Sequence, residues 1–174
     1  MAEKMRVAML GSGGMARYHL RQILTLRDAI EVVAISDPSK DAYSEAVKTF
    51  EAAGAVPAPY VSDLETLIDQ YRGLFDAALV CTPHAQHHAQ TKALLEAGVD
   101  VLLEKPMVLN VPEALDLIET RDRTGRLLVI AFQGSLSPAI RMASAMISGG
   151  EIGTLLSIAG TVWQNWGEIS QGTW

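Results

Sequence analysis

Short apolar runs and amphipathic segments alternate along the first three quarters of the chain. The apolar runs are rich in Val, Ile, Leu and Ala, and they predict strands over residues 5–10, 31–36, 55–61, 76–81, 99–104 and 126–132. Helical spacing of apolar residues between these runs predicts helices over residues 15–26, 41–53, 62–68, 87–98 and 111–124. Strands that are apolar almost throughout, with helices between them, indicate a parallel sheet covered on both faces. Since crossovers between parallel strands are right-handed, we expect an α/β fold with a doubly wound parallel sheet.

Residues typical of helix and sheet boundaries support these elements. Ser62 and Glu65 have the spacing of a capping box, which predicts that Ser62 caps the third helix. Asn110 is expected to cap the fifth helix in the same way. The prolines within residues 55–61 lack a backbone N–H, so this run fits an edge strand better than a central one. We therefore expect the third strand at one edge of the sheet.

The pattern changes after Phe132. Residues 137–153 predict one helix that ends at a pair of glycines, and residues 154–166 predict a long strand with no helix after it. A lone strand cannot bury its own apolar face. We therefore expect a doubly wound domain over residues 1–133. Residues 134–174 would then be the connecting helix and first strand of an incomplete second, α+β domain, in a truncated chain.

Composition and charge narrow the functional classes. Hydrophobic residues make up 49% of the 174 residues and charged residues 20%, which is typical of a globular protein. The formal charge of -6 argues against a nucleic-acid partner, which favours a basic surface. Cys81 is the single cysteine, which excludes an internal disulfide and a multi-cysteine metal site and fits the reducing cytoplasm. No apolar stretch approaches the ~20 residues of a membrane span, so we expect a cytoplasmic protein without a membrane partner.

A glycine-rich turn, GSGGMA, joins the first strand to the first helix at residues 11–16. Gly11 permits the tight turn, Gly13 lets a pyrophosphate approach the backbone, and Ala16 stands where a small residue packs the helix on the strand. The phosphates would lie at the helix N-terminus, where N–H groups and the helix dipole favour negative charge. Residues 1–133 are therefore predicted to be a dinucleotide-binding Rossmann domain. The predicted binding residues of the turn are Gly11, Ser12, Gly13, Gly14, Met15 and Ala16.

Asp37 ends the second strand, about 20 residues beyond the turn, where an acid hydrogen-bonds the adenosine ribose hydroxyls of a dinucleotide. The same negative charge repels the 2′-phosphate of NADP, so NAD is the expected cofactor. Lys40 lies close by in the sequence and keeps NADP possible. The alternative is that Asp37 and Pro38 only form a turn.

The loop after the fourth strand reads CTPHAQHH over residues 81–88. Ligands of doubly wound folds bind beyond the carboxyl ends of the strands, so this loop is expected to face the cofactor. Thr82 offers a hydroxyl, and Pro83 stiffens the turn. Three histidines within five residues suggest a metal, but no carboxylate or cysteine stands beside them at the spacing of a metal site. We therefore predict no metal here.

Glu104, Lys105 and Pro106 follow the fifth strand at the same end of the predicted sheet. A lysine ammonium can donate a proton to a carbonyl oxygen during reduction, and its neutral amine can accept a hydroxyl proton during oxidation. Lys105 is therefore the candidate catalytic residue, and Glu104 could hold the lysine or contact the nicotinamide ribose. The Lys105–Pro106 bond could be cis, as X-Pro bonds can. The alternative is a solvated ion pair at a strand end.

The motifs GSGGMA, SDP, CTPHAQH, LLEAG and VLLEKPM occur in an order and spacing that resembles the Gfo/Idh/MocA oxidoreductases, named after glucose–fructose oxidoreductase and inositol dehydrogenase. The segment GGEIGTLLSI over residues 149–158 is similar to that family's passage into its substrate domain. The resemblance implies NAD(P)-dependent hydride transfer at a hydroxyl-bearing carbon of a sugar, cyclitol or related polyol. It makes Lys105 the catalytic lysine and places Glu104 near the nicotinamide ribose. Beyond the glycine turn, it implies that the cofactor-binding residues are Asp37, Thr82, Pro83, His87, Glu104 and Lys105.

Two departures from the family's pattern bear on activity. Residues 133–138 read QGSLSP where many members carry an Asn-Arg-rich stretch, so the resemblance gives no support for the family's sugar contacts at these positions. The family's second domain holds an Asp…His pair that completes the site and an open sheet that often forms the oligomer, and neither is located in this chain. We therefore expect dinucleotide binding but little or no turnover from this chain, and a homo-oligomer for a full-length protein. The alternative is a non-catalytic NAD(H) sensor or partner subunit, in which Lys105 has no role.

Overall fold

The chain divides into two compact units, Met1–Phe132 and Gln133–Trp174. The computed structural model describes residues 3–163, 165 and 167. Across these ranges, no helix has both the length and the apolar character needed to cross a membrane. The assignment of residues 134–174 to the start of a second domain stays a prediction.

The first unit alternates strands and helices. Its strands are β1 (Met5–Leu10), β2 (Ile30–Ser36), β3 (Tyr60–Val61), β4 (Ala77–Val80), β5 (Asp100–Leu103) and β6 (Leu128–Ile130). Its α-helices are α1 (Gly14–Thr25), α2 (Lys40–Ala52), α3 (Leu64–Tyr71), α4 (His87–Glu96) and α5 (Val111–Thr124). Neighbouring strands are parallel, and their order across the sheet is β3-β2-β1-β4-β5-β6. This is the strand order of a doubly wound Rossmann sheet, so the predicted fold class is confirmed.

Helices pack on both faces of this sheet. One core cluster lies on the side of α1 and α2 and includes Met9, Leu20, Ile35, Phe50 and Leu79. The other lies on the side of α3, α4 and α5 and includes Leu10, Leu67, Val80, Leu94, Leu103 and Leu117. Met9 and Leu10 enter different clusters because successive side chains of a strand point to opposite faces. The two cores pack against the central strands and so fix the positions at which these strands end.

At its two edges the sheet departs from the prediction: one edge strand is shorter than expected, and the strands at the other edge are only partly covered. β3 lies at an edge, as expected, but it spans only Tyr60–Val61 because Pro57 and Pro59 cannot donate to a ladder. At the other margin, Leu102 of β5 is 38% exposed and Val129 of β6 is 42% exposed. The predicted cover on both faces therefore holds for the centre of the sheet and is partial over β5 and β6 in the described part of the first unit.

Two predicted helix caps have different outcomes. The Oδ1 of Asn110 accepts a hydrogen bond from the Glu113 N–H at 3.0 Å, so α5 begins as predicted. The prediction that Ser62 caps α3 is wrong. The cap is Asp63, whose Oδ1 accepts a hydrogen bond from the Thr66 N–H at 2.7 Å, while the Ser62 hydroxyl donates to the other carboxylate oxygen at 2.6 Å. The charged carboxylate is the stronger acceptor for the helix N–H groups, and the bonds from Ser62 and Thr66 lower the pKa of Asp63.

The second unit contains one turn of 3₁₀ helix, Gln133–Leu136, and the helix α6, Pro138–Ser148. The predicted strand over 154–166 is wrong for residues 154–163, which form no strand. An extended segment becomes a strand only when its N–H and C=O groups pair with a neighbouring strand. No such partner pairs with this segment in the described part of the chain. Two of the last three positions of the predicted strand lie outside the described residues.

Candidate functional site

Four strands of the first unit end level with one another. Leu10 of β1 pairs with Ser36 of β2 and with Val80 of β4, and Val80 in turn pairs with Leu103 of β5. The connections from β1 and β4 leave toward opposite edges of the sheet, so a crevice opens between these strands, where doubly wound folds bind ligands. The topology therefore brings the predicted motifs to one edge of the sheet. The residues that directly follow the four level ends are Gly11, Asp37, Cys81 and Glu104.

Gly11 forms the turn after β1, where the backbone passes close to the residue that follows β4. Its φ of +88° lies in the left-handed region, and a Cβ built there would be 2.5 Å from the Cys81 carbonyl oxygen. Its N–H donates to the Ser36 carbonyl oxygen at 2.8 Å, which ties the turn to the end of β2. Only glycine fits between the ends of β2 and β4, as the tight turn predicted at Gly11 requires.

Helix α1 begins without a capping side chain. Its N-cap is Gly13, and its first turn holds no acidic residue, whereas Ser39 caps α2 and Asn110 caps α5. A Cβ built on Gly13 or Gly14 would meet no atom within 4 Å, so the backbone there is open to close approach. Ala16, one turn later, is buried in the core beside β1. The N–H groups at this helix start fit a pyrophosphate, which supplies both the acceptor oxygens and the negative charge that the helix dipole favours.

Asp37 joins the end of β2 to the glycine turn. It is buried, and its Oδ2 accepts hydrogen bonds from the N–H and the hydroxyl of Ser12, both at 2.7 Å. Its Oδ1 accepts a hydrogen bond from the Ser39 N–H at 2.8 Å, which is the turn-forming contact of the alternative interpretation. A carboxylate has about four lone-pair positions. Given these contacts with the described residues, one position on Oδ1 fits a ribose hydroxyl while all three bonds to the chain are kept.

His87 ties the loop after β4 to the loop after β5. The ring is fully buried, with Nδ1 2.8 Å from the Pro106 carbonyl oxygen and Nε2 3.0 Å from the Thr82 carbonyl oxygen. Carbonyl oxygens only accept hydrogen bonds, so the ring nitrogen must donate in each contact that is a hydrogen bond. A neutral imidazole carries one N–H and donates to one of the two carbonyls, as its tautomer sets. Pro83 is the N-cap of the 3₁₀ turn His84–Gln86 that leads into His87. The structure thus shows His87 fixing two loops, and its contact with a cofactor stays a prediction.

A cavity of about 210 Å³ opens where the glycine turn and the loops after β4 and β5 meet. Lys105 reaches this cavity and is exposed, and the peptide bond between Lys105 and Pro106 is cis. Asp37 is not among the residues that line the cavity, so the predicted site residues fall into two neighbouring groups. The predicted residues that line the cavity are Met15, Thr82, His87, Glu104 and Lys105.

Glu104 is held by a residue that the sequence analysis missed. Its Oε1 lies 2.7 Å from the Nε2 of His19 on α1, and its Oε2 accepts a hydrogen bond from the backbone N–H of Lys105 at 3.0 Å. The side chains of Glu104 and Lys105 form no ion pair among the described residues, so the solvated ion pair of the alternative interpretation is not formed. His19 follows Met15 by four residues, which puts both on one face of α1. That spacing from the glycine turn is the signal that could have identified His19.

Cys81 lines the same cavity as a protonated thiol. Burial, and after it the negative charge of Glu104, raises the pKa of Cys81 to about 12. Metal ligation and nucleophilic attack both need the thiolate, which is scarce at neutral pH under these conditions. Within the described ranges, no three His, Cys, Asp or Glu side chains are grouped as a metal site requires. The ionisable groups left for chemistry in this cavity include Glu104 and Lys105.

The glycine turn at the level ends of β1 and β4, the acid after β2 and the lysine after β5 define a dinucleotide-binding Rossmann domain. The chain belongs to the Gfo/Idh/MocA oxidoreductase family with an NAD-binding Rossmann fold, whose model matches residues 5–132. The resemblance drawn from the motifs is therefore confirmed, and NAD is confirmed as the cofactor that this family binds.

Known dehydrogenases are similar to the chain over most of its length. An inositol 2-dehydrogenase from Mycolicibacterium smegmatis is 32% identical over 151 residues, which are 86% of this chain and 41% of that protein. A scyllo-inositol 2-dehydrogenase (NAD(+)) from Bacillus subtilis is 28% identical over 153 residues, which are 88% of this chain and 42% of that protein. The structure of the WlbA dehydrogenase from Bordetella pertussis with NADH and UDP-GlcNAcA is 27% identical with a TM-score of 0.75, covering 87% of this chain and 44% of that one. The chain therefore spans less than half the length of each of these proteins.

Proposed function

We propose that the chain is the NAD(H)-binding domain of a dehydrogenase that moves a hydride between the nicotinamide and a hydroxyl-bearing carbon of a cyclitol, sugar or related polyol. The observation that carries this proposal is the convergence of the glycine turn, Asp37 and Lys105 on one edge of the sheet. A sensor or a partner subunit has no use for the lysine. The two relatives named for inositol support a polyol as the substrate.

In this proposal the cofactor supplies the hydride chemistry, and the chain supplies binding, orientation and proton transfer. The N–H groups at the start of α1 would hold the pyrophosphate. The Oδ1 of Asp37 would accept a hydrogen bond from a ribose hydroxyl. Glu104 would face the nicotinamide ribose from the end of β5. The Nζ of Lys105 would give a proton to the substrate oxygen during reduction and take one from it during oxidation. Residues of a second domain would complete the substrate contacts.

NAD is proposed over NADP because of the fixed carboxylate of Asp37. A 2′-phosphate would bring further negative charge next to a buried acid, which repels it. Lys40 could offset this repulsion only by pairing with the phosphate or with Asp37. Its Nζ lies 5.9 Å from the centroid of the Tyr60 ring, and it forms no ion pair with Asp37 among the described residues.

The cellular location and the oligomeric state are each proposed from a single argument. A cytoplasmic protein fits the lone thiol of Cys81, which persists in a reducing compartment. A homo-oligomer is proposed for a protein that carries the second domain, since the family's open sheet in that domain often forms the oligomer. The partner of the site itself would be a small-molecule polyol or sugar.

Titration of the 174-residue chain with NADH, followed by nicotinamide fluorescence, tests the proposed cofactor site. We expect saturable binding of NADH and weaker binding of NADPH. Asp37→Ala should weaken NADH binding about 10-fold or more, because a hydrogen bond to a charged group contributes roughly 1.5–3 kcal/mol. The same substitution should leave NADPH binding nearly unchanged, since it also removes the repulsion.

Asp41→Ala is the matched control for Asp37→Ala. Asp41 is an exposed acid in the first turn of α2, and its removal should change NADH affinity by no more than about twofold. Failure of the wild-type chain to bind either nucleotide would contradict the proposed function. Equal losses of NADH and NADPH binding in Asp37→Ala would limit Asp37 to holding the turn.

A further inference from the structure

Glu104 and Lys105 carry opposite charges, are adjacent in sequence and line the same cavity, yet their side chains form no ion pair among the described residues. The Glu104 side chain is only 9% exposed. Its Oε1 lies 2.7 Å from the Nε2 of His19, and its Oε2 accepts a hydrogen bond from the backbone N–H of Lys105. Both carboxylate oxygens are therefore engaged without the lysine ammonium.

The free energy needed to bring an imidazole or a lysine ammonium to this carboxylate explains why histidine, and not lysine, holds it. His19 stands on α1, its side chain is 22% exposed, and its ring meets the Tyr18 ring edge-on with centroids 5.9 Å apart. The imidazole is thus a donor that the fold already holds in place. A lysine ammonium is strongly hydrated and sits on a flexible four-carbon stem, so drawing it onto a buried carboxylate costs hydration and rotamer freedom. The imidazole takes the carboxylate, and Lys105 stays exposed.

We propose that His19 is a positioning residue, which holds the Glu104 carboxylate and so keeps the Lys105 ammonium available in the cavity. The inference rests on the proposed function, in which Lys105 exchanges a proton with the substrate oxygen. An amine that pairs with a carboxylate holds its proton more tightly and gives it up less readily. Without His19, the Glu104 carboxylate needs another hydrogen-bond donor. The Lys105 ammonium can supply it, because its side chain lines the same cavity.

Competitive acylation of lysines tests this inference on the 174-residue chain, without nucleotide. A trace of an amine-acylating reagent is added at mildly alkaline pH, and peptide mass spectrometry gives the rate at Lys105 relative to the exposed Lys4. His19→Phe removes the donor and keeps an aromatic ring. We expect it to slow the acylation of Lys105 by about twofold to fivefold, the range that a partly exposed ion pair produces.

Two further variants separate positioning from a merely structural role. His19→Gln keeps an N–H donor on a side chain of similar reach, and it should restore the wild-type rate at Lys105. Glu104→Gln cannot form an ion pair, so adding His19→Phe to it should cause no further slowing. If circular dichroism shows that His19→Phe does not fold, His19→Asn, whose shorter side chain falls short of Glu104, takes its place.

An unchanged rate at Lys105 in the folded His19→Phe or His19→Asn chain would overturn the inference. Equal slowing in the Glu104→Gln background, or no rescue by His19→Gln, would overturn it as well. NADH titration is a separate measurement. A chain that shows the expected acylation pattern and binds no NADH would overturn the proposed function and leave the positioning role of His19 standing.

Discussion

Lys105→Met should lower kcat about 10²–10⁴-fold in a chain that carries both this domain and the substrate domain, which is the usual contribution of a general acid–base group. Methionine keeps the apolar stem and removes the ammonium. Since Lys105 is exposed at the rim of its cavity, the substitution should leave the core intact. Steady-state kinetics with inositol and related polyols measures kcat, and NADH titration of the same variant shows whether the cofactor still binds.

Lys92→Met is the matched control for this prediction. Lys92 lies on α4 with its Nζ 2.7 Å from the Oδ1 of Asp116, and it does not line the cavity. The substitution removes the same charge from a partly exposed ion pair, so kcat should stay within about twofold of wild type. Unchanged turnover in Lys105→Met, with normal NADH binding, would exclude Lys105 from catalysis. NADH binding with no turnover of any polyol by the parent chain would favour the non-catalytic sensor.

Gly11→Ala should lower the free energy of unfolding by roughly 2–5 kcal/mol, for two reasons. The φ of +88° disfavours any side chain by about 1–2 kcal/mol. The new Cβ would also stand 2.5 Å from the Cys81 carbonyl oxygen, and moving the end of β1 or β4 to relieve that contact costs about 1–3 kcal/mol. For a chain of this size the melting temperature should fall by about 4–20 °C, which differential scanning calorimetry measures.

Gly13→Ala separates the stability of the turn from cofactor binding. A Cβ at Gly13 would meet no atom within 4 Å, and its φ is -64°, so this variant should melt within a few degrees of wild type. Its methyl group would stand where the pyrophosphate approaches the backbone, so NADH affinity should fall. A Gly11→Ala chain as stable as wild type would contradict the tight turn. Wild-type NADH affinity in Gly13→Ala would contradict the proposed position of the phosphates.

Much of the fold could be predicted because six apolar runs, helices between them and right-handed crossovers leave few possible topologies. The errors concern features that neighbouring groups decide. Ser62 and Asp63 are adjacent, and the side chain of either could cap α3. The Asp63 carboxylate is the cap, and the Ser62 hydroxyl donates a hydrogen bond to it. The strand expected over 154–166 depended on a partner strand that the local pattern could not provide. Strand propensity alone therefore did not make residues 154–163 a strand.

The location of the candidate site could be predicted from the sequence, whereas the contacts of its side chains could be predicted less well. Parallel strands bring their carboxyl ends to one edge, so the motifs containing Gly11, Asp37 and Lys105 had to converge there once the sheet was predicted. The orientation of each carboxylate depends on tertiary partners instead. Ser12 turns Asp37 toward the glycine turn, and His19, 85 residues before Glu104, turns that carboxylate toward α1. No local pattern of residues specifies a contact over that separation.

The central claim is that NAD lies along the edge where β1, β2 and β4 end, and an NMR titration of the isotope-labelled chain with NAD⁺ tests it most directly. We expect the amide signals of Gly13, Gly14, Asp37 and Thr82 to shift together and to saturate with one dissociation constant. The groove between α1 and α2 is a larger hollow of about 430 Å³, and its lining includes Arg21 and Lys48 but none of these four residues. Shifts confined to that groove, or no shifts at all, would contradict the claim.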